Sequence, residues 1–234
     1  MNNEHSNSVR ESRSHYYRKL MLNGLIFRNP IVMEALGLFP IIAGGTSLKN
    51  GVVLSAVMGF VMVPICLCTS AFGAKIAPWV RAALYVLTTA LLLVPATFIA
   101  NIFMPNTVIT VSTLFIPLIA VNALITVRAE RYSIKHGLFP TFVDTLANVL
   151  GFALVICSVS AIREILGSAT LWGNALPWEN KAYGLVMPFG GFIILGFMSA
   201  FIKFIKQHVN YQTSKNSLDY KLDKSFEESE ETEI

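Results

Sequence analysis

Charge is scarce in this chain. Only 14% of its 234 residues are Asp, Glu, Lys or Arg, against 54% that are hydrophobic, and between Arg81 and Arg128 there is no charged residue at all. With a mean hydropathy of +0.58, the composition excludes an ordinary soluble globular domain and points to a polytopic membrane protein. Cysteine is scarce as well. Cys66, Cys68 and Cys157 all sit inside apolar runs, which argues for small buried hydrophobes and against a disulfide framework. Cys66 and Cys68 are two positions apart, a rotation of about 200° along an α-helix, so their sulfurs point to opposite faces and form no chelating pair. The chain has no GxxxxGK[ST], no GxGxxG after a strand, no HExxH and no paired CxxC, and nothing points to nucleotide or zinc chemistry. His5, His15, His136 and His208 lie in tails or a loop and make no ligand set. No acid, base and nucleophile are grouped as an enzyme would need. The first twenty residues lack a short apolar core followed by a small-residue cleavage site, so no removable leader is expected.

What is present is a series of apolar runs bounded by charges. Residues 1–30 form a basic leader in which Tyr17, Leu20 or Met21, and Leu25 recur at helical spacing; Ser14–Arg28 reads either as a helix lying in the membrane interface or as a cytosolic tail. Residues 31–206 form the membrane domain. The stretch between Glu34 and Lys49 is too short for a full span of roughly 20 residues and contains Gly37, Pro40, Gly44 and Gly45, so it is expected to be short or broken. Further spans are expected between Lys49 and Lys75 with a kink at Pro64, over 82–100, over 107–127, from Asp144 to Arg163, and from Lys181 to Lys203, with NIFMPN at Asn101–Asn106 as a turn. The sum is six spans, three per half. Residues 207–234 end in DKSFEESEETEI, an acidic polar tail expected to be disordered.

Basic residues set the orientation. An inside N-terminus places Arg10, Arg13, Arg18, Lys19, Arg28, Lys75, Arg81, Arg128, Arg131, Lys135, Lys203 and Lys206 on one face and only Lys49, Arg163 and Lys181 on the other, so both termini are expected in the cytoplasm. The excess of positive charge beside apolar runs follows from topology and calls for no nucleic acid. Trp79, Trp172, Trp178 and Tyr183 fall near span ends, where an aromatic belt would place them.

Two segments echo one another: LFPIIA at Leu38–Ala43 and FIPLIA at Phe115–Ala120. With an odd number of spans per half, they read as the paired interrupted helices of an inverted repeat. A proline within such a helix, here Pro40 or Pro117, frees backbone groups that lipid cannot satisfy, which places the breaks against other protein. Asn122 either coordinates an ion or hydrogen-bonds a freed carbonyl. Glu34, Arg128, Glu130 and Asp144 lie near the cytoplasmic edge and Arg163 and Glu164 near the outer one; each reads as an interfacial anchor or ion pair, or as a member of an ion path.

The combination of NPIVMEALGLFPIIA, FIPLIAVNALITVRAE, Asp144 opening a span, and SAIREILGSATLWG resembles the E-type membrane component of the Rnf electron-transport complex and, equally, its D-type counterpart in the sodium-translocating NADH:quinone reductase. The resemblance covers roughly residues 29–205. It implies an all-α protein of six transmembrane helices in two inverted three-helix repeats, set in the bacterial plasma (inner) membrane beside a sister subunit of opposite orientation and other Rnf/Nqr-like subunits. In that family the pair holds an iron centre midway through the membrane, one cysteine coming from each broken helix of each subunit, and electron passage is coupled to sodium or proton movement. The two family cysteines fall here on Phe39 and Ala123, neither of which can bind iron. The expectation is therefore a divergent member of such a complex, at most non-catalytic, with no cofactor or metal of its own; the contrasting expectation is a stand-alone or self-paired transporter of a small solute or ion.

Overall fold

A computed structural model of the chain describes residues 29–105, 115–177, 181–205 and 207–208. The leader helix at Ser14–Arg28, the first part of the span over 107–127, Trp178 and nearly all of the acidic tail lie outside the described residues; residues 207–208 are helical. Among the described residues two short helices come first, α1 (Pro30–Glu34) and α2 (Leu38–Gly44). They are followed by α3 (Leu48–Phe72), α4 (Pro78–Phe103), α5 (Ala123–Arg131), α6 (Leu138–Arg163) and α7 (Pro188–Ile205). Helical turns at Gly73–Lys75, Pro117–Ile119, Ser133–Lys135 and Tyr183–Val186 connect them. The contacts described below all lie within Met1–Gly196.

Local sequence explains where the helices start. The Asn29 side chain accepts the N–H of Ile31, with Pro30 in the first turn of α1. Ser47 accepts the N–H of Asn50 to open α3, Pro78 sits at the start of α4, and Asn122 accepts the N–H of Leu124 to open α5. The end of α6 widens into a π-helical turn, Glu164–Ser168, and runs into a hairpin pairing Thr170 with Ala175. Its two turn residues, Trp172 (φ 57°) and Gly173 (φ 81°), both have left-handed φ values, as a tight two-residue hairpin turn requires.

Among the described residues, four stretches are long and apolar enough to cross a membrane: Leu48–Lys75, Pro78–Phe103, Leu138–Ser168 and Pro188–Ile205. They correspond to the second, third, fifth and sixth expected spans. The fifth starts six residues before Asp144, which therefore lies inside α6, and the sixth starts seven residues after Lys181. Pro64 lies within α3, which runs unbroken from Leu48 to Phe72. The first expected span is α1 plus α2, and the described part of the fourth is a single helical turn followed by α5.

α3 and α6 make the most extensive helix pairing and form the core; half or more of their most apolar stretches are buried (50% and 56%), against 22% for α4 and α7. Val53, Val57, Val61 and Ile65 on α3 and Phe152, Val155, Ile156 and Val159 on α6 recur at helical spacing and are shut away from the surface. Inside lipid no hydrophobic gain drives helices together, so close contact must come from small residues. Gly51 supplies one: a Cβ there would stand 2.8 Å from Ser160 Oγ. α4 and α7 instead present Leu87, Leu91, Val94, Phe98, Phe189 and Phe192 outward, as a lipid- or protein-facing surface should.

Candidate functional site

Two interruptions of the helical backbone come together at one point. The first is Ala35–Gly37, where Ala35 (φ 57°) and Gly37 (φ 76°) turn the chain between α1 and α2. The second is Ala120–Asn122, between the turn Pro117–Ile119 and α5. A Cβ on Gly37 would lie 3.0 Å from Asn122 Oδ1, and one on Gly44 would lie 3.2 Å from Phe115 Cβ, so the segments around Leu38–Ile42 and Phe115–Ile119 do approach one another. Glycine at 37 is needed twice over, for its left-handed φ and for this contact.

Pro40 is not itself a break, whereas Pro117 directly follows the non-helical Phe115 and Ile116. Pro40 is the third residue of α2 and Pro117 begins its turn, positions where a helical N–H has no partner anyway. The echoed motifs also fold differently: LFPIIA is helical throughout, whereas FIPLIA yields one turn and then the second break. Asn122 is 4% exposed, caps α5 through Leu124 N–H (2.9 Å), and donates to Met58 Sδ (3.8 Å). Its side chain therefore caps a helix start and meets a sulfur, and makes neither of the expected bonds, to an ion or to a freed carbonyl, among the described residues.

Where the breaks meet they form a cleft of about 170 Å³, lined by both interrupted segments and by Phe192 of α7. Phe39 and Ala123 both line it and both are exposed, Phe39 by 72%. None of the three cysteines lines it: Cys66 is buried on α3 and Cys68 exposed on the opposite face, as their spacing implied, and Cys157 is half-buried on α6.

The charged residues form different partnerships from those their order suggests. Arg128 and Glu130 do not pair with each other. Arg128 makes a bidentate bond to Asp144 (Nε to Oδ2 3.0 Å, Nη2 to Oδ1 2.6 Å), and Asn148 donates to the same carboxylate at 3.2 Å. Asp144 is 1% exposed, a charge enclosed by the protein. Such a fork-on-carboxylate pair is among the strongest hydrogen-bonded arrangements available to side chains. Glu130 accepts from Tyr85 OH (3.0 Å) and lies 3.4 Å from Arg81 Nε. Glu34 pairs with Arg131 at 2.7 Å, joining α1 to α5, but both side chains are about half exposed or more, where an ion pair is worth under about 1 kcal/mol.

Arg163 and Glu164 likewise do not pair with each other. Arg163 is fully buried and, among the described residues, faces carbonyls only. Its Nη1 donates to Ile42 and Gly45 O (2.8 Å each), its Nε to Leu185 O (3.0 Å), and its Nη2 to Val186 O (2.6 Å) and Met187 O (3.3 Å). It thus neutralises the carbonyl end of α2. Glu164 does the converse for donors, accepting from Leu48 N–H at the start of α3 (2.7 Å), Gly173 N–H (3.0 Å) and Thr170 Oγ1 (3.4 Å). One dipeptide therefore fixes the junction between α2 and α3 from both sides. Sequence reasoning does not single out Asn29, Arg81, Tyr85 or Asn148. Asn148 is the accessible one, standing four residues, one helical turn, beyond Asp144.

The described fold is a set of apolar helices, four of them long enough to cross a membrane, with two interrupted segments meeting at a surface cleft. Residues 17–199 match the family described as Rnf-Nqr subunit, membrane protein, and the chain belongs to that family. It is 30% identical over 188 residues to the E subunit of the proton-translocating ferredoxin:NAD(+) oxidoreductase complex of Clostridium ljungdahlii, covering 80% of this chain and 88% of the relative. It is 29% identical over 203 residues to the E subunit of the Na(+)-translocating ferredoxin:NAD(+) oxidoreductase complex of Acetobacterium woodii, covering 85% and 98%. The E subunit of the ion-translocating oxidoreductase complex of Methanosarcina acetivorans is 29% identical over 192 residues, covering 80% and 90%.

Proposed function

We propose that this protein is the E-type membrane component of an ion-translocating electron-transport complex, divergent in having lost the intramembrane iron site, and that it serves as a scaffold or ion conductor beside a sister subunit. In this reading the chain crosses the bacterial plasma membrane six times as two inverted three-helix repeats, with α1/α2 and the segment ending in α5 as paired broken spans. The observation that carries the proposal is the cleft between the breaks. It opens on the surface, its rim holds Phe39 and Ala123, and a half-site completed by a partner would look this way.

The residues at the cleft do not fit the family's iron. A soft, low-coordinate iron centre calls for thiolates, and the rim offers a phenyl ring, a methyl group and the already engaged amide of Asn122. No electron step is therefore routed through this chain. The ion path, if it lies in this chain, has the interior carboxylate Asp144 as its natural member, and its Arg128 partner must yield before a cation can reach it.

Two measurements test this reading. Affinity purification of the chain from gently solubilised membranes is expected to recover a sister membrane subunit together with soluble redox subunits; recovery of the chain alone or as a self-pair would replace the proposal with the stand-alone transporter. Topology supplies the second. With the native cysteines replaced by alanine, a membrane-impermeant thiol reagent is expected to modify Asn174→Cys and to leave Lys135→Cys unmodified in intact cells. Both positions are exposed, whereas Asn50 at the start of α3 is buried and would report on packing. Modification of Lys135→Cys alone would invert the orientation.

A further inference from the structure

Outside the broken helices the structure holds a second cleft, of about 230 Å³, where α3 ends and α4 begins. Ile65, Phe72, Ile76 and Leu84 give it apolar walls, and Arg81 and Tyr85 are the polar groups among its lining that bear on a ligand. The Arg81 side chain is only 12% exposed, yet its donors are poorly used. Nε has no hydrogen-bond partner despite lying 3.4 Å from Glu130 Oε1, and Nη1 reaches Gly73 O only at 3.4 Å. A guanidinium held only by long contacts to one carboxylate and one carbonyl, set beside an apolar groove, suits an anion that carries a hydrocarbon tail.

Three further features agree on that ligand. Lys75 places a second positive charge nearby, exposed in the turn between the lining residues Gly73 and Ile76. Arg81 lies in the first turn of α4, at the positive end of that helix's dipole. Trp79, 83% exposed two residues earlier, marks this end of the helix pair as the headgroup level of a bilayer.

We propose that this cleft seats one anionic phospholipid, its phosphate on Arg81 and one acyl chain along Phe72, Ile76 and Leu84. Basic pockets between membrane helices take acidic headgroups in this way. The seat is independent of the redox reading and would exist in a transporter equally well.

The test is native mass spectrometry of the full-length protein from micelles doped with either phosphatidylglycerol or phosphatidylcholine. Retention of the anionic lipid is expected to exceed that of the zwitterionic one by about fivefold, the ratio that one well-placed cation supplies. Arg81→Gln should abolish the preference and Arg81→Lys should keep most of it. Leu84→Trp, which fills the acyl groove and leaves Arg81 in place, should reduce retention of both lipids, and it decides the matter if Arg81→Gln does not fold. Inorganic phosphate at the same concentration should not displace the lipid. Equal retention of the two lipids, an unchanged preference in Arg81→Gln, undiminished retention in Leu84→Trp, or displacement by free phosphate would each overturn the proposal.

Discussion

Arg163→Met is expected to destabilise the protein by about 3 kcal/mol or more, because it orphans the buried carbonyl oxygens of Ile42 and Gly45 and removes the partner of the part-buried ones at Leu185–Met187. Methionine fills much of the same volume, so the loss isolates hydrogen bonding and charge from packing. The acceptors belong to two separate stretches: Ile42 and Gly45 at the end of α2, and Leu185, Val186 and Met187 ahead of α7. Losing the guanidinium should therefore loosen both at once. Arg163→Lys keeps the charge but not the planar fork, and a single ammonium cannot span acceptors on both sides, so it should recover less than half of the loss. The unfolding midpoint in detergent measures the effect, with Arg131→Gln as the contrast. That residue's pair with Glu34 is exposed, and its removal should change stability by under about 1 kcal/mol. A wild-type midpoint for Arg163→Met would show that those carbonyls find other partners.

The same residue marks the limit of what the sequence discloses. Long apolar runs and the absence of charge from Ala82 to Val127 make the helices α3, α4, α6 and α7 legible, since hydropathy reports directly on lipid exposure. The broken character of the Glu34–Lys49 stretch is legible from its length and its glycines. Partner choice among the charges is not. Arg163 next to Glu164 looks like an ion pair on paper, yet consecutive helical side chains diverge by about 100°, and each turns to backbone groups of different segments. Arg128 and Glu130, two positions apart, diverge by about 200° for the same reason, one reaching α6 and the other α4. Pro40 misleads in a different way. It looks like a site of breakage but lies in the first turn of its helix, and the chain turns instead at Ala35–Gly37; Pro117 opens a single turn with non-helical residues on both sides of it. The cleft between those turns needs three dimensions, although both residues on its rim that matter most, Phe39 and Ala123, stand out from the motif alone.

Purified with its partner, the protein is expected to carry no stoichiometric iron, and the double substitution Phe39→Cys with Ala123→Cys is expected to confer it. The family resemblance assigns one thiolate to each of these positions, and both lie on the rim of the same cleft, exposed for a partner to approach. Among the described residues, nothing else at that rim is a soft donor. Asn122 is committed to capping α5, and the thiols of Cys66, Cys68 and Cys157 belong to other parts of α3 and α6. Either single substitution should fall well short of the double one, because a metal held by several thiolates is lost steeply as each is removed. Exchanging Phe39 is not expected to unfold the chain, since the ring is 72% exposed and leaves little cavity behind. Metal analysis together with visible and paramagnetic resonance spectra of the complex reads the outcome. A double variant without iron, assembled with a sister subunit that keeps its own two cysteines, would show that Phe39 and Ala123 are not the lost ligand positions. Iron in the unaltered protein that disappears when Cys66, Cys68 or Cys157 is replaced would show that the metal had moved within the fold and had not been lost.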